Sequence, residues 1–600
     1  MSTLAISIAG GSFLLQETDL STLFTPEDFS EEQRQIASTA GDFAVYEVLP
    51  AAAEIEAKNF EITRALLKKA GDLGLMAVDI PEAYGGLAMG KVTSAIISDH
   101  MSVLASFSVA FSAHTGIGTL PIVWYGSEAQ KQRYLPKLAS GEWLGAYALS
   151  EASSGSDAMN IRTRAVRDGD DYVLNGEKMW ITNAGFADVF TVFAKIVDPT
   201  GAADGDAGKA RMSAFLIERN TPGLTVGAEE HKLGIRGSST CPLVLSECRI
   251  PTGNLLGEAG KGHHIAFNIL NIGRFKLGAA CVGGARTSLG NAIEYAKERR
   301  AFGKAIAEFG LIQQKIADMA TRIYVGESMA YRTIGAIDQA LAGVEDSREI
   351  QRGIEEFAVE CSILKVWGSE MLDTVVDHTL QIYGGYGYVE EYPAERMYRD
   401  ARINRIFEGT SEINRLIITG FLMKRAISGQ LPLMPAIRRL MDEVMSPPVF
   451  VPDSEESDLL ARETRMLANA KKLALFTAGV ASQKFMDKLA DQQEVMAALA
   501  DIIMEVYALD SALARAHKLT ENGAAGAGAA RAMTQLYADK AFHGIEVAAR
   551  QVIAAVSEGD TLRTQMAIYR RLVKHDPAST IVLERSVAQL ALGKNRYPLP

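Results

Sequence analysis

Thr163-Arg164-Ala165-Val166-Arg167-Asp168-Gly169-Asp170-Asp171-Tyr172-Val173-Leu174 changes the rhythm of the chain. Thr163 and Ala165 face one way, Asp168-Gly169-Asp170 supplies turn chemistry, and Tyr172 and Leu174 answer on a second strand, so the period is two. Further strands are expected over 189–196, 212–218 and 242–250. Outward from this β unit the period is helical on both sides. Upstream, Ile62, Leu66, Leu67, Ala70 and Leu73 repeat at helix spacing, and Thr25 followed by Pro26, Glu27 and Asp28 reads as a helix cap. Downstream, Ile312, Ile316, Met319, Ala320, Ile323 and Tyr324 open a set of long helices that continues through 354–380 and favours an antiparallel bundle. Ser446-Pro447-Pro448 and the polar run to Asp458 read as a linker, after which an Ala-rich helical unit starts near Leu459 and is interrupted at 522–528. The expected fold is α+β, mainly α. It comprises an N-terminal helical domain (1–145), a β-barrel or sandwich domain (146–258), a helical bundle (259–445), a linker (446–458) and a C-terminal helical extension (459–600).

Composition narrows the function. The 600 residues are 48% hydrophobic and 22% charged, the balance of a folded globular protein, and the net charge is −12 with no basic block, so nucleic acid is not an expected partner. Cys241, Cys248, Cys281 and Cys361 form no CxxC pair and read as buried thiols in a reducing compartment. The apolar start has no positive n-region, its first basic residue being Arg34, which disfavours a secretory or Arg-rich transit peptide. The apolar stretch 101–126 is broken by Ser106, Ser108, Ser112, His114, Thr115 and Pro121, so no membrane-spanning helix is expected there.

No strand leads into GxGxxG, Gly257–Lys261 lacks the spacing of a P-loop, and neither HExxH nor GxSxG occurs, so neither a metal nor a hydrolase elbow is expected. Five other segments have chemical content, although each has a plainer reading when taken alone. Tyr147-Ala148-Leu149-Ser150-Glu151-Ala152-Ser153-Ser154-Gly155-Ser156-Asp157 crowds hydroxyls and carboxylates, as a surface loop also does. Trp180-Ile181-Thr182-Asn183 sets an indole beside a hydroxyl, suiting a planar ligand or a core strand end. Arg299-Arg300-Ala301-Phe302-Gly303-Lys304, with Gln313 following, is a cationic fork for a pyrophosphate or a solvated helix end. Gln381-Ile382-Tyr383-Gly384-Gly385-Tyr386-Gly387 permits close backbone approach or simply ends a helix. In Arg402-Ile403-Asn404-Arg405-Ile406-Phe407-Glu408-Gly409-Thr410-Ser411-Glu412, Glu408 is a carboxylate in apolar company, a candidate general base or a cap.

Taken together and in order, these segments resemble the acyl-CoA dehydrogenase family from about Phe29 to Gly429. The resemblance is closest to the very-long-chain branch, through Asn271-Ile272-Gly273-Arg274-Phe275-Lys276-Leu277, the stretch 309–319, Glu327-Ser328-Met329-Ala330-Tyr331 and the extension. It implies an acyl-CoA dehydrogenase-like fold with FAD between the β domain and the bundle. Tyr147, Leu149, Ser150, Gly155 and Ser156 would meet the isoalloxazine edge, and Trp180, Ile181 and Thr182 would cover the ring. Arg299, Phe302, Gln313, Gln381, Gly384 and Gly385 would hold the FAD of a neighbouring subunit in a homodimer, with Thr410, Ser411 and Glu412 continuing the contact. Glu408 matches the catalytic base, and Ser156, Asn271, Gly273, Arg274 and Gly409 match positions that meet the substrate. Two positions depart from the pattern: Ala152 stands where proline is common, and Asn271 where many relatives have aspartate.

Some branches place the base at the position of Gly273, which cannot serve. Its missing side chain would also widen the acyl tunnel for long chains. The implied activity is flavin-dependent α,β-dehydrogenation of long-chain fatty acyl-CoA to trans-2-enoyl-CoA in fatty acid β-oxidation, with electron-transferring flavoprotein as acceptor. The competing readings are an acyl-CoA oxidase using oxygen and a scaffold or assembly protein on the same fold. The expected compartment is a bacterial cytoplasm, or the mitochondrial matrix for a matured form.

Overall fold

The computed structural model of the chain describes residues 9–197, 211–344, 346–445 and 458–599, and all of the expected linker but Asp458 lies outside them. Helices Glu31–Phe43, Phe60–Asp72, Gly90–His100, Ala105–Ala113 and Glu128–Ala139 form the first unit. The cap expected at Thr25 closes only a single 3₁₀ turn, Pro26–Asp28. A second capping box, Ser30 with Gln33, opens the first α-helix.

The sheet comprises β1 (Gly145–Ala148), β2 (Arg164–Asp168), β3 (Asp171–Thr182), β4 (Val189–Val197), β5 (Arg211–Glu218), β6 (Leu224–Val226), β7 (Thr240–Pro251) and β8 (Leu255–Leu256). Their order is β6-β7-β3-β2-β4-β5-β8, with β1 beside β4. The opening hairpin pairs as its alternation requires, Ala165 opposite Leu174 and Asp168 opposite Asp171, with Gly169 in left-handed backbone at the turn. β1 and β2 both run parallel to β4, at its two ends. That arrangement leaves the chain from Leu149 to Thr163 to cross between them as the loop that carries the hydroxyl-rich segment.

The bundle is built on helices Gly262–Glu298, Gly310–Leu341, Ala358–Tyr383 and Ser411–Ser428. The long helical segment expected around 354–380 is two helices, Ser347–Glu356 and Ala358–Tyr383, parted at Phe357 (φ −100°, ψ 22°). Gly262–Glu298 is, among the described residues, the one helix long and apolar enough to cross a membrane, and 72% of its most apolar stretch is buried inside the protein. It is the axis of the bundle.

Helices Ala461–Phe485, Gln493–Glu521, Ala527–Val556, Gly559–Leu572 and Thr580–Lys594 form the extension. It is not a separate body. One hydrophobic core runs from Phe13 through Ile272, Tyr324 and Val366 to Phe476, Val506 and Ile545, while the sheet keeps a core of its own around Leu174, Phe190 and Leu243. Arg515, fully buried in the extension, pairs with Glu27 at 2.6 Å and with Glu327 of the bundle at 2.7 Å, and the Tyr597 hydroxyl also donates to Glu327.

Candidate active site

Glu408 stands in the turn that leads into helix Ser411–Ser428. Both Glu408 (φ 58°) and Gly409 (φ 83°) take left-handed backbone, a conformation that a residue with a Cβ adopts only where its surroundings over-determine it. Here they do. Asn414 Nδ2 donates to the carbonyls of Gly409 (2.8 Å) and Thr410 (3.1 Å) and reaches that of Glu408 at 3.4 Å, Arg274 Nε donates to the Glu408 carbonyl at 3.2 Å, and the Thr410 hydroxyl caps the helix at Ile413. The side chain is thereby turned onto helix Gly262–Glu298 at Gly273.

A Cβ on Gly273 would lie 2.4 Å from Glu408 Oε2 and 2.6 Å from its Cδ. The sequence reading of Gly273 as open tunnel width is therefore corrected, because the space its missing side chain frees is the seat of the Glu408 carboxylate. Glu408 Oε2 is buried without a hydrogen-bond partner. Burial pushes the acid up to about 7, against the pull of the Arg274 and Lys365 cations.

This carboxylate lines a cavity of about 860 Å³, measured out to its open mouth, together with Thr182 from the end of β3. One wall is a stripe of helix Gly262–Glu298 that includes Gly273, Ala280 and Gly284, and the facing wall is a stripe that includes Ala105, Ser108 and Ser112. From Gly273 to Gly284 the helix rises about 16 Å. The result is a slot walled by small residues, with a general-base candidate at one of its lining positions.

The hydroxyl-rich loop is pinned at its base. Buried Glu151 accepts from Lys178 Nζ (2.7 Å), from the Thr163 hydroxyl (2.6 Å) and amide (3.1 Å) and from the Arg162 amide, while Lys178 also donates to the Leu149 carbonyl. Tyr147 and Leu149 are buried, and Gly155 and Ser156 are exposed. Between Lys178 and Ile181 the pairing of β3 with β7 shifts register, and within that irregularity Trp180 takes φ 58° and presents its indole outward, 57% exposed, while Ile181 points into the core.

Arg299, Phe302, Gln381, Gly384 and Gly385 form a second, solvent-facing group outside the cavity. Phe302, 96% exposed, tips the hairpin Arg300–Ala301/Lys304–Ala305, Arg299 lies over Tyr386 at 5.5 Å, and Gln381, Gly384 and Gly385 are exposed at the end of helix Ala358–Tyr383. Gln313 donates to the Ala307 carbonyl. Thr410 and Ser411 belong to the Glu408 turn and Glu412 is exposed beside it. Asn271 and Arg274 are only 5% and 6% exposed, and Arg274 Nη1 donates to Asn271 Oδ1 at 2.8 Å, so both brace the turn from inside. The sequence reading missed Lys178, Asn414 and Lys365. A buried lysine in a strand or an apolar helix gives no signal distinguishable from an exposed one.

A flat ring system such as the isoalloxazine of FAD fits these surfaces. Trp180 offers an outward indole face beside Thr182 at the cavity wall, and no atom lies within 4 Å of where a Cβ would stand on Gly155, Gly384 or Gly385, so backbone is open to close approach. No group of three His, Cys, Asp or Glu suited to a metal is gathered among the described residues.

A helical domain, a sheet and a helical bundle that enclose a buried carboxylate in a small-residue slot define a class of flavoenzyme, and the comparisons agree with that class. Family models match as acyl-CoA dehydrogenase N-terminal domain over residues 30–142, middle domain over 146–248 and C-terminal domain over 260–423, and a further acyl-CoA dehydrogenase C-terminal domain matches 469–571. The chain belongs to the acyl-CoA dehydrogenase family, whose members are FAD-dependent oxidoreductases.

It is 46% identical over 596 residues, 98% of each chain, to a probable acyl-CoA dehydrogenase of Bacillus subtilis. Its fold superposes with a TM-score of 0.94, at 44% identity over 99% of this chain and 100% of the other, on an acyl-CoA dehydrogenase complexed with FAD from Bacillus anthracis. Human relatives of two chain lengths match as well. They are the short-chain specific enzyme (39% over 406 residues, 68% of this chain and 93% of its own) and the very long-chain specific enzyme (42% over 353 residues, 58% and 51%), so acyl length has to be read from the cavity.

Proposed function

We propose that the chain dehydrogenates long-chain fatty acyl-CoA thioesters to trans-2-enoyl-CoA, as in fatty acid β-oxidation, with Glu408 as the base that takes the α-proton. The observation that carries this reading is the Glu408 carboxylate, buried and unpartnered at Oε2, on the wall of a slot lined by small residues. FAD, when bound, supplies the acceptor for the β-hydrogen and its electron pair. The chain's own residues do the rest. The left-handed turn and Asn414 hold the carboxylate in place, Gly273 gives it room, and exclusion of water raises its basicity toward that of a group poised near neutral pH. Trp180 and Thr182 would meet the ring, and the pinned loop from Leu149 to Ser156 would meet its edge.

The slot supports the long-chain reading. Its lining extends about 16 Å along one helix, from Gly273 through Leu277, Ala280 and Cys281 to Gly284, and each methylene buried there contributes about 0.8 kcal/mol of binding. The exposed group of Arg299, Phe302, Gln381, Gly384 and Gly385 supports a homodimer in which these residues reach the neighbour's FAD, because within one chain they face solvent. Electron-transferring flavoprotein is the proposed acceptor.

The test is anaerobic reduction of the bound flavin by a ladder of acyl-CoAs. Palmitoyl-CoA is expected to bleach it with a higher kcat/KM than butyryl-CoA, and a butyryl preference would overturn the long-chain reading. Glu408→Gln is expected to keep the flavin yet lose its reduction, and a wild-type rate in that variant would remove Glu408 from the role of base. Rapid oxygen consumption during turnover would favour the oxidase instead.

A further inference from the structure

The two long walls of the slot run antiparallel. Near Gly273, a Cβ on Gly116 would lie 3.9 Å from Lys276 Cδ, and at the other end a Cβ on Gly284 would lie 3.8 Å from the Ser102 carbonyl oxygen and 3.6 Å from Leu372 Cδ1. Ser102, Gly284 and Leu372 all line the cavity. They form its far end, about 16 Å along the helix from the seat of the Glu408 carboxylate.

That far end is clasped from outside. Arg286, one turn past Cys281 and just beyond Gly284, is ion-paired with Asp99, which stands just before Ser102. One partner therefore belongs to each wall, and neither lines the slot. Asp99 is itself firmly placed. Its carbonyl is the atom against which Gly283 packs, a Cβ there lying 1.9 Å away, and the same carbonyl accepts from the Ser102 amide at 3.3 Å. Its carboxylate also accepts from the Tyr331 hydroxyl at 3.0 Å.

The clasp is held in turn by the bundle and the extension. Arg286 Nη1 stands 3.5 Å from Glu327 Oε1, while Glu327 Oε2 accepts from Arg515 at 2.7 Å and from the Tyr597 hydroxyl at 3.0 Å. Asp99, Glu327 and Arg515 are buried. Charges of alternating sign thus run from the slot wall to the extension through Asp99, Arg286, Glu327 and Arg515. Away from water, ion pairs and hydrogen bonds are strong and directional, so they fix positions that apolar contacts leave free to slide, and removing one member strands the next.

We propose that Asp99 and Arg286 are positioning residues for chain-length selectivity, a clasp that holds the two walls together at the far end of the slot, and that Glu327 ties this clasp to the extension. The proposal rests on the slot receiving the acyl chain. A butyryl group stays beside Glu408, whereas the tail of a palmitoyl chain runs toward Gly284, so only the long chain senses the clasp.

The test measures kcat and KM per bound flavin with palmitoyl-CoA and butyryl-CoA in wild type, Arg286→Met, Asp99→Asn, Glu327→Gln and Arg286→Lys. In Arg286→Met and Asp99→Asn the kcat/KM for palmitoyl-CoA relative to butyryl-CoA is expected to fall by about tenfold, the binding of one to two methylenes. The loss is expected in KM rather than kcat, because contact with the tail is the same in the ground and transition states. Glu327→Gln is expected to shift the ratio in the same direction, and Arg286→Lys, which keeps the cation, to lose less than Arg286→Met. An unchanged ratio in the folded, flavin-bound variants overturns the proposal, as does an equal loss on both substrates. Failure of Arg286→Met, Asp99→Asn and Glu327→Gln all to fold overturns it too, since the chain of charges would then serve the fold alone. A wild type that prefers butyryl-CoA would refute the long-chain reading by itself, because the clasp is judged by how the ratio moves between variant and wild type.

Discussion

Glu408 sits where burial and two cations pull its acidity in opposite directions, and burial prevails, leaving the group near 7. Only the deprotonated form accepts a proton, so flavin reduction by acyl-CoA is expected to fall about tenfold per pH unit below that value and to level off above it, as a stopped-flow pH profile reads directly. The same shift has a stability counterpart. Below about pH 4.5 the carboxyl is neutral folded or unfolded. As pH rises through the window from about 4.5 to 7, the unfolded chain gives up the proton first and stability falls, by about 3 kcal/mol at most. Glu408→Gln escapes this cost, so its apoprotein is expected to melt higher than wild type at pH 8, with the difference vanishing toward pH 4. At Gly273, one added methyl group collides with the carboxylate, and Gly273→Ala is expected to keep FAD while slowing flavin reduction by about 100-fold, the effect of displacing a reacting group by about an ångström.

Between elements, close approach takes the place of side-chain packing. A Cβ on Gly283 would lie 1.9 Å from the Asp99 carbonyl, so helix Gly262–Glu298 touches helix Gly90–His100 there with nothing between. Gly283→Ala is expected to force the two apart and lower stability by about 1–3 kcal/mol in chemical denaturation. Features that rest on local period were legible beforehand. The Gly169 hairpin, the helix through Ile316 and Tyr324 and the linked order of helical, β and helical units follow from alternation and helix spacing. Features that rest on tertiary context were not. Phe357 ends a helix without glycine or proline, Trp180 takes a left-handed conformation that its side chain does not announce, and Gly273 faces Glu408 across 135 positions of chain. The site was legible where five short segments kept their order, and illegible where Lys178 and Asn414 act from burial.

Across the whole molecule the extension behaves as part of the bundle. Tyr324 donates to the Ala512 carbonyl, Trp367 donates to Tyr537, and Arg515 lies buried with Glu327 inside the core while its second acid partner, Glu27, is partly exposed. Arg515→Met leaves Glu327 buried without that cation and is expected to cost about 3–5 kcal/mol, measurable by urea unfolding. Deleting residues 459–600 is expected to give aggregates in light scattering, because it strips apolar helix faces as well as charge. The earliest described segment is held by distant parts of the chain: Gly10 and Gly11 donate to Glu356 and Glu360 of the bundle, while Glu27 is gripped by Arg515 and Asp28 by Lys518 of the extension. The last two grips join residues 488 and 490 positions apart. On a ribosome, which releases the chain from its amino end, Glu27 and Asp28 must therefore wait for Arg515 and Lys518 before they find their partners, and the newborn protein passes through a long unfinished state.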